Sequence, residues 1–575
     1  MLPGNRPLSA IVMCSTWMQD LKLRVHAPCL NAVRETTSAP PVKWRTYMRF
    51  RAIMSIPLIS GLMLSACGGE RSPGDGGYEN VTAGNGGTER YDGKTVSPIH
   101  RVVSEPVSTF AVDVDTGSYT NVRRMLMGGQ PVPEEAVRTE EMINYFRYDY
   151  PLATDRTAPF SVTTDVTTTP WDRRTRLLRI GLRGYDVARS ERPAANLVFM
   201  VDVSGSMDAP DKLPLVKQAL SILADGLRAE DSISIITYSG SVATLVDGSH
   251  DAAAVKAALS GLEAGGGTAG GPALSMAYDL ARAHRIPGGI NRIVMATDGD
   301  FNLGLSDQAG LEAMVRQNRE DGITLTTLGF GQGNYNDAMM EAVADLGNGN
   351  HAYIDNLMEA RKVLDEELSS TLFTIAKDVK MQVEFNPAVV GEYRLIGYEN
   401  RALREEDFVD DKVDAGEIGA GHQVTAIYEI VPAGQLGWLP ARKYAANTAT
   451  ASAAAANPVE AATVRLRYKL PDETESRLLE APVAAGRLGA ATAPVGDAAF
   501  AIAVAAFGQK LRRDSRLADF GYADIARLAG HPANYWRQEF VAMTNLAARS
   551  DGQTERGRAG LSASDPNGAG YALRP

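Results

Sequence analysis

Between residues 194 and 372 the chain repeats one pattern four times, and that pattern restricts the fold more than any other feature. The apolar runs "NLVFMVDV", "DSISIITY", "NRIVMATDG" and "ITLTTLGFG" alternate with helix-length stretches such as "KLPLVKQALSILADGL", "GPALSMAYDLARAH" and "DQAGLEAMVRQNRE". Strands that are apolar almost throughout are buried on both faces, so the pattern predicts a mainly parallel central sheet with helices on each side, a doubly wound α/β domain. In such sheets ligands bind beyond the carboxyl ends of the strands. Asp202 and Asp298 each follow directly on an apolar run and are therefore expected at one rim.

Three pieces of that rim carry chemistry: Asp202, Ser204 and Ser206 in "DVSGSM", Thr268 in "GGGTAGG", and Asp298 in "MATDGD". Alternation along an extended loop sends Asp202, Ser204 and Ser206 the same way. Carboxylates and hydroxyls are hard oxygen donors suited to Mg²⁺, with Mn²⁺ or Ca²⁺ as alternatives. Competing chemistries fit less well. "DVSGSM" lacks the flanking glycines of the G-x-S-x-G nucleophile elbow, and "GGGTAGGPALS" lacks the G-K-[ST] of a phosphate-binding loop. Asp113 and Asp115 in "AVDVDTGSY" imitate an aspartyl-nucleophile motif, but Gly117 stands in its last position, so a strand end with a helix start at Ser118 is expected. The second "SGS", Ser239 to Ser241, reads as a hairpin turn. Asp208 and Asp300 are expected in solvated acidic loops, and His250, His284 and His351 at the surface or in packing.

The D-x-S-x-S motif, the distant threonine and the T-D-G aspartate, in this order, resemble the von Willebrand factor type A (VWA) domain and its metal-ion-dependent adhesion site. The resemblance implies a Rossmann-like fold. It implies that Ser204 and Ser206 bind the metal directly, Thr268 directly or through water, and that Asp202 and Asp298 hold coordinating waters. The remaining coordination position would go to an acidic residue of a protein partner. More narrowly, 108–151, "GFGQGNYNDAMMEAVADLGNGNHAYID" and "VEFNPAVVGEYRLIGYENRALREEDF" resemble a bacterial group of secreted or lipid-anchored VWA proteins with an N-terminal VWA-associated segment and a C-terminal domain of unknown function. The expected role is recognition rather than catalysis. The alternatives are an envelope scaffold whose assembly the metal stabilises and a metal-dependent phosphohydrolase.

Towards the amino end, "MRFRAIMSIPLISGLMLSACGGE" has two arginines, about 13 apolar residues and then Leu-Ser-Ala-Cys. Residues 48–66 are expected to be a signal peptide, and "LSAC" resembles the bacterial lipobox, which implies lipidation of Cys67 and a lipid-anchored envelope protein. Gly68 resembles the pattern that favours the outer membrane where one exists. Residues 1–47 then read as an upstream extension without a fold. Cys14, Cys29 and Cys67 are the only cysteines, so no disulfide framework is expected in the body.

Gly-rich 67–104 reads as a tether. A small α+β module is expected at 105–190 and the central domain at 194–372. Residues 376–550 read as a β-rich and helical C-terminal domain, and 551–575 as a frayed tail. In "VKMQVEF" the alternation puts Val379, Met381, Val383 and Phe385 on one face and Lys380, Gln382 and Glu384 on the other. "AAFAIAVAAFGQKLRR" is apolar enough for a buried helix, and "AANTATASAAAANP" reads as a solvent loop. Beyond Ala66 the chain holds 50 Lys and Arg against 67 Asp and Glu, a net charge of −17. An acidic surface without a basic cluster excludes nucleic acid as a principal partner.

Overall fold

The structure is a computed structural model. It describes residues 89–563 apart from 113–114, 154–157, 189, 269, 300–307, 367–372, 414, 443–458 and 472. The expected extension, signal peptide and Cys67 lie outside the described residues, as do Asp113, Asp300, the whole Ala-rich stretch and the end of the tail.

The first segment contributes strands β1 (His100–Arg101), β2 (Val107–Ala111), β3 (Phe160–Thr168) and β4 (Arg176–Gly184), with helices α1 (Gly117–Met127) and α2 (Thr139–Asn144) between β2 and β3. The central domain follows, with strands β5 (Ala195–Asp202), β6 (Ser232–Tyr238), β7 (Val242–Ser249), β8 (Ile290–Thr297), β9 (Thr324–Phe330) and β10 (His351–Ile354). They form one six-stranded sheet in the order β10-β9-β8-β5-β6-β7. Every pair is parallel except β6 with β7, which are joined at the second "SGS" as the hairpin reading anticipated.

Helices α3 (Leu213–Asp225), α4 (Ala252–Ser260), α5 (Gly270–Ala283), α6 (Gln308–Glu320), α7 (Asp337–Leu346) and α8 (Leu357–Arg361) cover both faces. On α3, Leu213, Val216, Leu220 and Leu223 recur at helical spacing and pack with Leu197, Phe199 and Val201 of β5. Val198 and Met200 point the opposite way, against Ala273, Leu274 and Ala277 of α5. β5 is thus buried on both sides, which explains its unbroken apolar run. Caps fix the helix starts: the Asp251 carboxylate accepts from the Ala253 N–H at 2.8 Å at the head of α4.

The chain then returns to the first segment. Strands β11 (Thr374–Phe385), β12 (Val390–Leu395), β13 (Ala402–Leu403), β14 (Gly416–Gly419), β15 (Gln423–Pro432), β16 (Glu460–Lys469) and β17 (Arg477–Ala484) pair with β1 to β4. One sheet runs β1-β12-β15-β4-β3 and the other β13-β2-β11-β16-β17, with β14 on β11. This corrects the expectation of a self-contained N-terminal module at 105–190 beside a separate domain at 376–550. The two segments make one antiparallel sandwich, and the central domain is inserted between them. Alternation shows which residues of a strand are buried but not which strand lies beside it, and so this pairing was not readable from the sequence.

Leu178, Ile180 and Leu182 of β4 point into the sandwich with Val424, Tyr428, Met381 and Val464. Leu177 and Ile427 point the other way, beneath a helical layer. That layer holds α1, α2 and the later helices α9 (Gly496–Leu511), α10 (Tyr522–Ala529) and α11 (Tyr535–Ala563). α9 is buried almost all round, from Ala499 to Leu511.

Three further expectations change. Residues 89–104, assigned to the tether, lie on the body: Glu89 accepts from Arg124 at 2.9 Å, and β1 pairs with β12. α11 continues past Asp551, where fraying was expected. Lys380 and Gln382, expected on an open face, are buried, because the segment after β13 covers that side and its Asp407 and Asp410 carbonyls accept from Lys380 Nζ. Among the described residues no helix is long and apolar enough to cross a membrane.

Candidate metal centre

Asp202 is the last residue of β5, and Asp298 directly follows β8. Because β5 and β8 run parallel in register, with Val201 opposite Ala296, the two carboxylates reach the same rim. Both are fully buried. Asp202 Oδ1 accepts from the Ser204 N–H at 2.9 Å, and Oδ2 accepts from Thr297 Oγ1 at 2.9 Å. Burial raises the Asp202 pKa; bonds from Ser204 and Thr297 oppose this, and the charge of Asp298 adds to it.

The loop after β5 turns so that Ser204 Oγ and Ser206 Oγ lie 3.0 Å apart, Ser204 buried and Ser206 exposed. A second loop is tied onto this one by the Gly205 N–H to the Gly266 carbonyl at 3.1 Å and the Gly265 N–H to the Val203 carbonyl at 2.8 Å. Thr268, half-buried, follows two residues later on that tied loop. Gly266 has φ of +86°, and a Cβ there would meet Ser239 Oγ at 3.2 Å, so glycine lets the loop approach.

Asp202, Ser204, Ser206 and Asp298 therefore line one end of the sheet, and the loop bearing Thr268 is fastened to them. Asp208 is exposed nearby with no part in the cluster. The donor set is entirely oxygen, two carboxylates with neighbouring hydroxyls, and this fits a small hard divalent cation. Among the described residues no group of three or more His, Cys, Asp or Glu offers an alternative centre. Asp115, from the imitation nucleophile motif, is buried and structural: it accepts from the His351 N–H at 2.7 Å and from Arg401 at 3.2 Å.

Sequence reasoning missed a cation already in place. Lys212 Nζ donates to Asp298 Oδ2 at 2.8 Å and to Asn334 Oδ1 at 3.2 Å, with the lysine and the aspartate both buried. The lysine stem lies over Gly331, whose φ is +72° and where a Cβ would come within 2.3 Å of Lys212 Cγ. A lysine just before a helix has no sequence signature, and only the fold shows that it reaches Asp298.

Family models match in three places: one described as von Willebrand factor at 85–179, one as von Willebrand factor type A domain at 197–300, and one as "Uncharacterized protein YfbK, C-terminal" at 370–549. Uncharacterized protein YfbK of Escherichia coli (strain K12) is 43% identical over 484 residues, covering 82% of this chain and 82% of that protein. The chain belongs to the YfbK family. It combines a von Willebrand factor type A domain with the C-terminal region that the YfbK model describes. Human inter-alpha-trypsin inhibitor heavy chain H3 is 31% identical over 191 residues, 31% of this chain and 21% of that protein. A solved von Willebrand factor type A protein from Catenulispora acidiphila is 16% identical with a TM-score of 0.36, covering 60% of this chain and 76% of that one.

Proposed function

We propose that the chain is a lipid-anchored cell-envelope protein whose VWA domain recognises an acidic residue of a protein partner through a divalent cation, Mg²⁺ in the first instance. Asp202, Ser204, Ser206, Thr268 and Asp298 would hold the cation. The observation that carries this reading is the all-oxygen rim, with buried Asp202 and Asp298 below and the exposed Ser206 hydroxyl at its edge. When bound, the cation would offer a position to a carboxylate from outside. The chain's own residues prepare that role: Ser204 and Thr297 orient Asp202, and Lys212 offsets the charge of Asp298 so that two buried carboxylates coexist.

The scaffold alternative has little need of a metal, because the central domain is already joined to the sandwich by buried ion pairs from Arg123 and Arg138.

Calorimetric titration of the full chain with Mg²⁺, Mn²⁺ and Ca²⁺ tests the centre. Asp202→Ala should abolish binding, and Ser204→Ala or Thr268→Ala should weaken it about tenfold or more. Cation binding unchanged in Asp202→Ala would refute the assignment. Crosslinking in intact cells tests recognition: the same captured protein should disappear with EDTA and with Asp202→Ala. Capture insensitive to both excludes a metal bridge. Mass spectrometry of the membrane form should find diacylglyceryl-modified Cys67 as its first residue, and a chain starting upstream of Cys67 would end the anchor proposal.

A further inference from the structure

Five arginines of the described residues are buried, and four of them face a carboxylate: Arg123, Arg138, Arg179 and Arg394. Arg292 does not. It lies on β8 among Ile290, Val294 and Ala296, only 4% exposed. Its Nε donates to Thr324 Oγ1 at 2.9 Å and its Nη1 to Thr326 Oγ1 at 3.1 Å. Among the described residues no carboxylate stands within ion-pairing distance, and Glu417, the acid whose charge reaches it, is engaged by Asn348. Burial lowers its pKa to about 10, so it stays charged at neutral pH. A buried guanidinium served by hydroxyls alone is costly, and its charge calls for a counter-ion.

Arg292 lines a cavity of about 80 Å³ between the VWA sheet and the sandwich. Asn350 joins it from the VWA domain, and Arg147, His422 and Gln423 from the opposite side. Gln423 Oε1 is taken by the Tyr148 N–H at 2.8 Å, which leaves its amide N–H groups as donors. Arg147 is exposed, with Nη2 on the Gly421 carbonyl at 2.6 Å. Burial, with the charge of Arg147, pushes the His422 pKa down to about 4 and keeps the ring neutral. The one carboxylate in the lining is Asp115, already held by the His351 N–H and Arg401.

We propose that this cavity binds a small oxyanion, a carboxylate or phosphate group, with Arg292 as its principal ligand and the Gln423 and Asn350 amides as further donors. A guanidinium fork matches either group in a bidentate way. The volume corresponds to several water molecules, enough for inorganic phosphate or a short dicarboxylic acid. Since donors come from both sides, the anion would fasten the VWA domain to the sandwich at the end of the sheet away from the candidate metal centre.

The test uses the full chain, titrated calorimetrically and melted in inorganic phosphate and in succinate, with sodium chloride matching ionic strength. At ten times the dissociation constant the midpoint should rise by about 2 °C. Arg292→Met should lose both the binding heat and the shift, yet melt no earlier than the natural chain in chloride, because the removed charge had no counter-ion. Gln423→Glu keeps the oxygen that receives Tyr148 and sets a carboxylate against the anion; it should also abolish binding, and it carries the test if Arg292→Met fails to fold. A response to phosphate alone or to succinate alone assigns the oxyanion class. Binding of neither, or equal responses in the natural chain and the folded variants, overturns the proposal.

Discussion

At the scale of single residues, the body depends on ionisable groups whose solvation it has removed. Glu140 at the second position of α2 is 2% exposed, and its Oε2 has no hydrogen-bond partner. Burial, and then the charges of Glu399 and Glu141, raise its pKa to about 7. The folded state therefore holds a proton that the unfolded chain releases near pH 4.5, and stability falls as pH rises from there through 7. Glu140→Gln should stabilise the protein at pH 8 by up to about 3 kcal/mol, converting the shift at 1.36 kcal/mol per unit. The difference should vanish below pH 4.5. Urea unfolding of both proteins across that range checks it, and a pH-independent difference would contradict it. Asp337 moves the opposite way: burial raises its pKa, but the charge of Arg138 and bonding from His351 outweigh burial and hold it well below the usual range.

Between elements, one side chain joins three parts of the chain. Arg123 of α1 is fully buried and uses all its donors: Nε and Nη2 on Asp355 after β10, Nη2 also on Glu359 of α8, and Nη1 on Tyr145 and on Glu539 of α11. Removing one member of such a cluster leaves the others buried without a counter-charge, which costs about 3–5 kcal/mol. Arg123→Met should lower the urea midpoint accordingly, while Arg174→Met, whose partner Asp172 shares an exposed turn, should change it little. Equal effects would show that the junction carries no special weight.

Periodicity made much of this level legible. The parallel strands, the buried α9 and the strand-end aspartates all follow from runs of residue types. Arg123, Lys212 and Arg292 do not, because each derives its meaning from a partner, or the lack of one, supplied by distant chain. The D-x-S-x-S loop was readable since its donors are neighbours in sequence; the tying of the Gly265–Gly266 turn onto it was not.

For the whole molecule, the interleaving of both ends has a direct test. A fragment of residues 89–366 keeps the central domain but leaves β2 and β4 without β11 and β15, exposing unpaired edges of apolar strands. It should aggregate on expression, and co-expression of 373–563 should restore soluble material. A soluble, monomeric 89–366 would argue for independent modules after all.

That topology also sets a timetable. As the chain emerges amino end first, the first strands of the sandwich appear long before their neighbours, whereas the VWA domain is built from contacts within one continuous stretch and can close as soon as it has emerged. The inserted domain is therefore ready while the frame that holds it is still half made. For that interval β2 and β4 are exposed to any other strand nearby, and yield in a cell depends on how quickly residues 374–432 follow.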